Sequence, residues 1–197
     1  MPRLEEVGYY LQGLWLILRG RPEGFQYLDI SERGFWRSWW AIAYCLPPTL
    51  LSWAAFRMIY LGAAPEGTTT GPSFFLKLGI VEMTNWILPL LAILIVARIT
   101  GLTRYATAIV IANNWLSVPF QWCSVLVSLI QITVPGDPSA ALIYLILLTG
   151  YVFAVYQIVS RILGGARAAA LAMVLTLFAL PFIAQMQLLP LLGLIDL

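Results

Sequence analysis

Residues 74–99 read FFLKLGIVEMTNWILPLLAILIVARI, and this stretch decides the fold. It carries three charges, Lys77, Glu82 and Arg98, in a run otherwise apolar and far too long for a strand. About 20 consecutive apolar residues are what a helix needs to cross the ~30 Å hydrocarbon core of a bilayer. The stretch therefore predicts a transmembrane helix. Four further runs of this kind surround it, giving spans at 36–61, 74–99, 105–134, 139–163 and 168–194.

The composition agrees. Of 197 residues, 61% are hydrophobic and 10% are charged, and mean hydropathy is +0.87. A soluble domain has nearer ~45–50% apolar and ~25% charged residues. A chain of this size has too little interior to hide that much apolar surface from water. A soluble enzyme, a disordered tail and a nucleic-acid binder are excluded. The expected class is all-α: a polytopic bundle of five transmembrane helices over residues 35–197, preceded by a separate segment, residues 1–34.

That first segment predicts an amphipathic interfacial helix. Leu4, Val7, Leu11, Leu14 and Leu18 recur at three- and four-residue steps and share one face, while Glu5, Gln12 and Arg19 lie on another. Tyr9, Tyr10 and Trp15 suit headgroup depth, so the helix is expected to rest on the bilayer without crossing it. Its apolar stretch is too short for the core of a cleavable signal. Arg21-Pro22-Glu23-Gly24 ends it.

The turns set an orientation. Arg3, Arg19, Arg21, Arg33 and Arg37 precede or open the first span, Arg98 and Arg104 flank the second turn, and Arg161 and Arg167 flank the fourth. Glu66, Asp137 and Asp196 mark the opposite ends. The positive-inside rule then predicts a cytoplasmic N-terminus and an outer C-terminus; the compact turns and the lack of lysine-rich tails suit a bacterial inner membrane. Prolines 47, 48, 119, 181 and 190 lie inside the spans. Each removes a backbone donor, and in hydrocarbon the freed carbonyl must find a partner on another helix.

Small or polar residues at alternating three- and four-residue steps predict helix seams. They are Ser38, Ala41, Cys45, Pro48, Ser52 and Ala55 in the first span, and Glu82, Asn85, Pro89 and Ala92 in the second. The third has Asn114, Ser117, Gln121, Ser124, Ser128 and Gln131. The fourth has Gly150, Phe153, Gln157, Ser160 and Gly164, and the fifth Ala168, Ala172, Thr176 and Ala179. The third stripe is polar enough to be read alternatively as a path through the membrane.

Glu82 is the costliest residue in the bilayer, by ~2.5–3.5 kcal/mol for a charged side chain at mid-span. Arg57, at similar depth on the preceding antiparallel helix, is the expected partner, with Asn85 completing a cluster. Asn113 and Asn114 point about 100° apart on one helix and are expected to serve two different neighbours. The candidate intramembrane polar site is thus Arg57, Glu82, Asn85, Asn113, Asn114, Gln121, Gln131 and Gln157.

The chain has no histidine and two cysteines. It therefore lacks the commonest metal ligand and general base, and two separated thiols, Cys45 and Cys123, do not make a zinc site. They read as reduced residues, with a disulfide as the alternative. No Walker loop, G-x-S-x-G or H-E-x-x-H occurs. No catalytic, metal or cofactor site is expected, and a net charge of +2 names no polyanionic partner.

The layout resembles the Yip-type family of small five-helix integral membrane proteins. The points of likeness are the N-terminal segment, a polar loop (residues 63–73) after the first span, the turn Gly101-Leu102-Thr103-Arg104 and Pro119 within the third span. The resemblance covers residues 36–194 at the level of topology and carries no active-site motif. It implies a polytopic helical membrane protein. The function expected is that of a scaffold, organiser or accessory subunit, partnered by lipid and by another membrane protein or a second copy. The alternative is a small oligomeric transporter or channel using the third-span stripe and Glu82.

Overall fold

The computed structural model describes residues 2–195; Asp196, expected to mark the outer end, lies outside them. Seven α-helices are described: α1 (Leu4–Leu18), α2 (Glu32–Ser38), α3 (Ala41–Ala63), α4 (Pro72–Ile99), α5 (Thr103–Thr133), α6 (Pro138–Ile162) and α7 (Arg167–Leu191), with a 3-10 turn at Pro22–Tyr27. Five helical runs are long and apolar enough to cross a membrane: Glu32–Ala63, Pro72–Ile99, Thr103–Thr133, Pro138–Ile162 and Arg167–Leu191. These match the expected spans to within a few residues. The protein is an integral membrane protein with an all-helical bundle.

The helices stop where the sequence supplies stop signals. Gly101, Gly136, Gly164 and Gly165 adopt positive φ after α4, α5 and α6, a conformation that costs little only without a Cβ. Asp137 opens α6 by accepting a hydrogen bond from the Ser139 amide at 2.8 Å, as an N-cap does. Ser31 does the same for α2 through the Gly34 amide at 3.2 Å.

α5 is the organising helix. It packs against α3, α4 and α6, and the chain ring α4–α5–α6–α7 closes through extensive α4–α7 packing. The main core combines Leu90, Ile93 and Ala97 of α4 with Ile109, Ile111 and Trp115 of α5. Val155, Ile158 and Val159 of α6 and Met173, Val174 and Leu177 of α7 complete it. A smaller cluster at the far end joins Phe74, Leu78 and Val81 to Trp53, Phe56 and Tyr60 of α3.

The expected seams divide into two groups. In the first span Ser38, Ala41, Cys45, Pro48 and Ala55 are all buried, as are Asn114, Ser124 and Ser128 in the third, and these two stripes face each other. In the fourth span Ser160 is buried but Gly150 and Phe153 are exposed, as are Ala168, Ala172 and Ala179 in the fifth. Those two helices instead bury Val155, Ile158, Val159 and Ile162, and Met173, Val174 and Leu177. Large aliphatic side chains interlock there, where close backbone approach is not required.

α1 also departs from expectation. Its apolar face is spent on the protein, not on lipid. Leu14 and Ile17 are 1% exposed and join the main core, whereas Leu4 is 76% exposed. The Tyr10 ring stacks on Trp115 of α5, centroids 4.9 Å apart. The helix packs against α5 and α6. Burying Leu14 and Ile17 is worth roughly 1.5–3 kcal/mol each. The Arg161 guanidinium of α6 sits over Gly20, where an added Cβ would meet its nitrogen at 2.9 Å. This puts a cation at the negative end of the α1 dipole.

Candidate functional site

Of the expected intramembrane residues, Asn114 is the one placed most decisively. It is 2% exposed, and its amide nitrogen donates to Ser38 Oγ at 3.0 Å. Ser38 in turn donates to the Phe35 carbonyl at 2.7 Å. One turn further along, Ser117 donates to the Asn114 carbonyl at 2.7 Å and lies 3.8 Å from Cys45 Sγ. Ser124 donates to the carbonyl and side-chain oxygens of Gln121 at 2.7 and 3.3 Å. The polar stripe of α5 is therefore consumed partly against α2 and α3 and partly on its own backbone. Gln131 on α5 and Gln157 on α6 are half-buried.

Asn113 faces another seam from Asn114, but makes no side-chain hydrogen bond there among the described residues. It lines a space of about 10 Å³ with Ile109, Ala112, Leu116, Val155, Ile158 and Val159, between α5 and α6. That volume holds at most one water.

The expected Arg57–Glu82 pair does not form. Arg57 Nε donates to Thr70 Oγ1 at 2.5 Å and holds the loop after α3. Glu82 is half-buried and accepts from Trp86 Nε1 at 3.0 Å, one turn along the same helix. The physical reason is packing: α4 lies mainly on α7 and α5 and meets α3 through the aromatic contacts Phe56–Phe74 and Tyr60–Phe74. Asn85 is half-buried near Glu82 on the same helix.

The proline expectation finds its partner at one site. Pro48 has no N–H, so the Tyr44 carbonyl four residues earlier loses its helical donor. Trp122 of α5 supplies the replacement, its Nε1 donating to the Tyr44 carbonyl at 3.1 Å. Both thiols are free; Cys45 is buried and Cys123 is exposed.

Between the N-terminal segment and the start of the first span, on the arginine-bearing end, lies a cleft that sequence reasoning missed. It has a volume of about 260 Å³ and is lined by Glu6, Tyr9, Tyr10, Gln26, Tyr27, Leu28, Asp29 and Arg37. Arg37 is paired with Glu6, and Tyr9 packs on Tyr27 with centroids 4.4 Å apart. Asp29 Oδ1 accepts from the Ser31 amide at 3.1 Å, and the hydrogen bonds from Ser31 hold its carboxyl below the usual range. Burial first, and then the Asp29 carboxylate, push the Tyr10 hydroxyl up. Two glycines beside the cleft hold its walls together. Gly13 and Gly24 let α1 and the 3-10 turn touch, since a Cβ on Gly24 would meet the Gly13 carbonyl oxygen at 2.5 Å and the Ile17 amide at 2.8 Å. The available signal was a glycine inside a helical pattern, which marks close approach.

No protein-family profile, curated protein or solved structure matches this chain.

Proposed function

We propose that the protein works without catalysis, through helix–helix contacts, as a scaffold, organiser or accessory subunit of a membrane assembly. The partner is another membrane protein or a second copy. The membrane is a bacterial inner membrane with the N-terminus cytoplasmic, and the Yip-type likeness belongs to this reading. The observation that supports it is the fate of the third-span stripe: Asn114, Ser124 and Ser128 are buried, bonded to neighbouring helices or to their own backbone. A conducting path needs such groups to face water. The outer faces stay apolar, with Leu142, Leu145, Ile146 and Phe153 on α6 and Leu171, Leu175, Phe182 and Ile183 on α7 all exposed. Such faces serve lipid and partner helices alike.

The test is cross-linking in intact cells followed by purification in mild detergent. A complex heavier than one chain is expected. A monomer under both conditions contradicts the reading.

Glu82 favours the second reading, a small transporter or channel. Its carboxylate has Trp86 as its hydrogen-bond donor among the described residues, and intramembrane acids often carry ions. Reconstituted liposomes distinguish the two. Proton or potassium flux above that of empty liposomes, abolished by Glu82→Gln, replaces the scaffold reading with this one.

A further inference from the structure

The cleft between α1, the 3-10 turn and α2 has the chemistry of a cation site, and the kind of cation follows from its walls. Two carboxylates line it: Glu6 pairs with Arg37, and Asp29 is in no ion pair among the described residues, with Arg33 and Arg37 acting on it from farther away. Among the described residues, no group of three or more His, Cys, Asp or Glu comes together to hold a metal ion. A hard divalent cation takes six or more oxygens, whereas this cleft offers one free carboxylate, the Gln26 amide and three tyrosines. Aromatic faces beside a carboxylate suit a weakly hydrated organic cation, which the ring quadrupole attracts.

Size and position narrow it further. A volume of about 260 Å³ lies just under the ~300 Å³ at which drug-sized pockets begin, so a small head fits and a large ligand does not. Tyr9 is 53% exposed, so the cleft is open to its surroundings. The exposed Trp36 and Trp40 flank the same end of the bundle, and such tryptophans mark headgroup depth.

We propose that this cleft binds an organic ammonium group, with Asp29 as its counter-ion and Tyr9 and Tyr27 as its aromatic wall. The group comes either from an amine-bearing phospholipid headgroup or from a free alkylamine. The cleft is built from the N-terminal segment and the first turns of the first span and does not depend on the scaffold reading.

The experiment uses the full chain in two arms. In the first, native mass spectrometry compares retention of phosphatidylethanolamine and phosphatidylglycerol. In the second, calorimetry titrates tetramethylammonium into protein in phosphatidylglycerol nanodiscs. Selective retention of phosphatidylethanolamine identifies a lipid source, and tetramethylammonium binding alone identifies a free one. In whichever arm binds, Asp29→Asn is expected to weaken binding about tenfold, Asp29→Glu to retain it, and Tyr27→Leu to weaken it several-fold. If the unaltered protein prefers phosphatidylglycerol, or binds in neither arm, the proposal fails. It also fails if Asp29→Asn binds as well as the unaltered protein.

Discussion

Replacing Trp122 by Phe probes how the bundle handles a proline in lipid. An aromatic side chain is kept, though smaller than the indole, and the Nε1 donor to the Tyr44 carbonyl, 3.1 Å away, is lost. Pro48 cannot supply a replacement, because it has no N–H. The carbonyl then faces hydrocarbon without a partner. Interhelical hydrogen bonds in membranes average ~0.6 kcal/mol and reach ~1.7 kcal/mol, while an orphaned buried acceptor costs ~1–3 kcal/mol. Trp122→Phe should therefore destabilise by about 1–2 kcal/mol. In a Pro48→Ala background the amide of residue 48 can bond Tyr44 within the helix, and the same change should then cost only a few tenths of a kcal/mol. The assay is reversible unfolding in mixed micelles for the four proteins of this cycle. Equal costs in the two backgrounds would refute the reasoning, because they would mean that the indole bond does not compensate for the proline.

Gly24→Ala should detach α1, since the added Cβ meets backbone atoms of Gly13 and Ile17 that cannot move aside. Overpacking of this kind costs ~1–3 kcal/mol; limited trypsin digestion should then cut faster after Arg19, and an unchanged digestion rate contradicts the expectation. Asp29 gives the N-terminal segment a pH dependence. Its folded carboxyl titrates below the ordinary value, so its contribution is present above the unfolded pKa of ~3.9 and is lost as pH falls through the lower folded one. Tryptophan fluorescence should report loosening of this segment in that acid range, and Asp29→Asn should remove the dependence.

The five spans were legible because each needs only length and apolarity, which a linear sequence displays directly. The facing stripes of the first and third spans were legible for a related reason. Ser38, Cys45, Asn114 and Ser117 are small or polar where lipid selects for large and apolar, so the pattern stands out. The fourth and fifth spans bury Val155, Ile158, Met173 and Leu177. Those residues do not differ in type from the exposed Leu142 and Leu175, so sequence carries no contrast between the two faces. The Arg57–Glu82 pairing assumed that consecutive helices are neighbours along their length. The heavy packing of α4 on α7 is a long-range choice that no local pattern encodes. The cleft depends on Gly13 and Gly24 meeting across a break in the chain, and sequence shows each glycine only separately.

The central claim is that the α5 stripe is a dry seam against its neighbours. In a background with Cys45→Ala and Cys123→Ala, single cysteines at Ser117, Ser124 and Ser128 are exposed to a charged thiol reagent from each side of the membrane, with Glu66→Cys in the loop as the accessible control. The account predicts rapid labelling at position 66 and none at positions 124 and 128, which are buried, with little at 117. Labelling at all three stripe positions at rates near the control would contradict it and make the stripe a water-filled path.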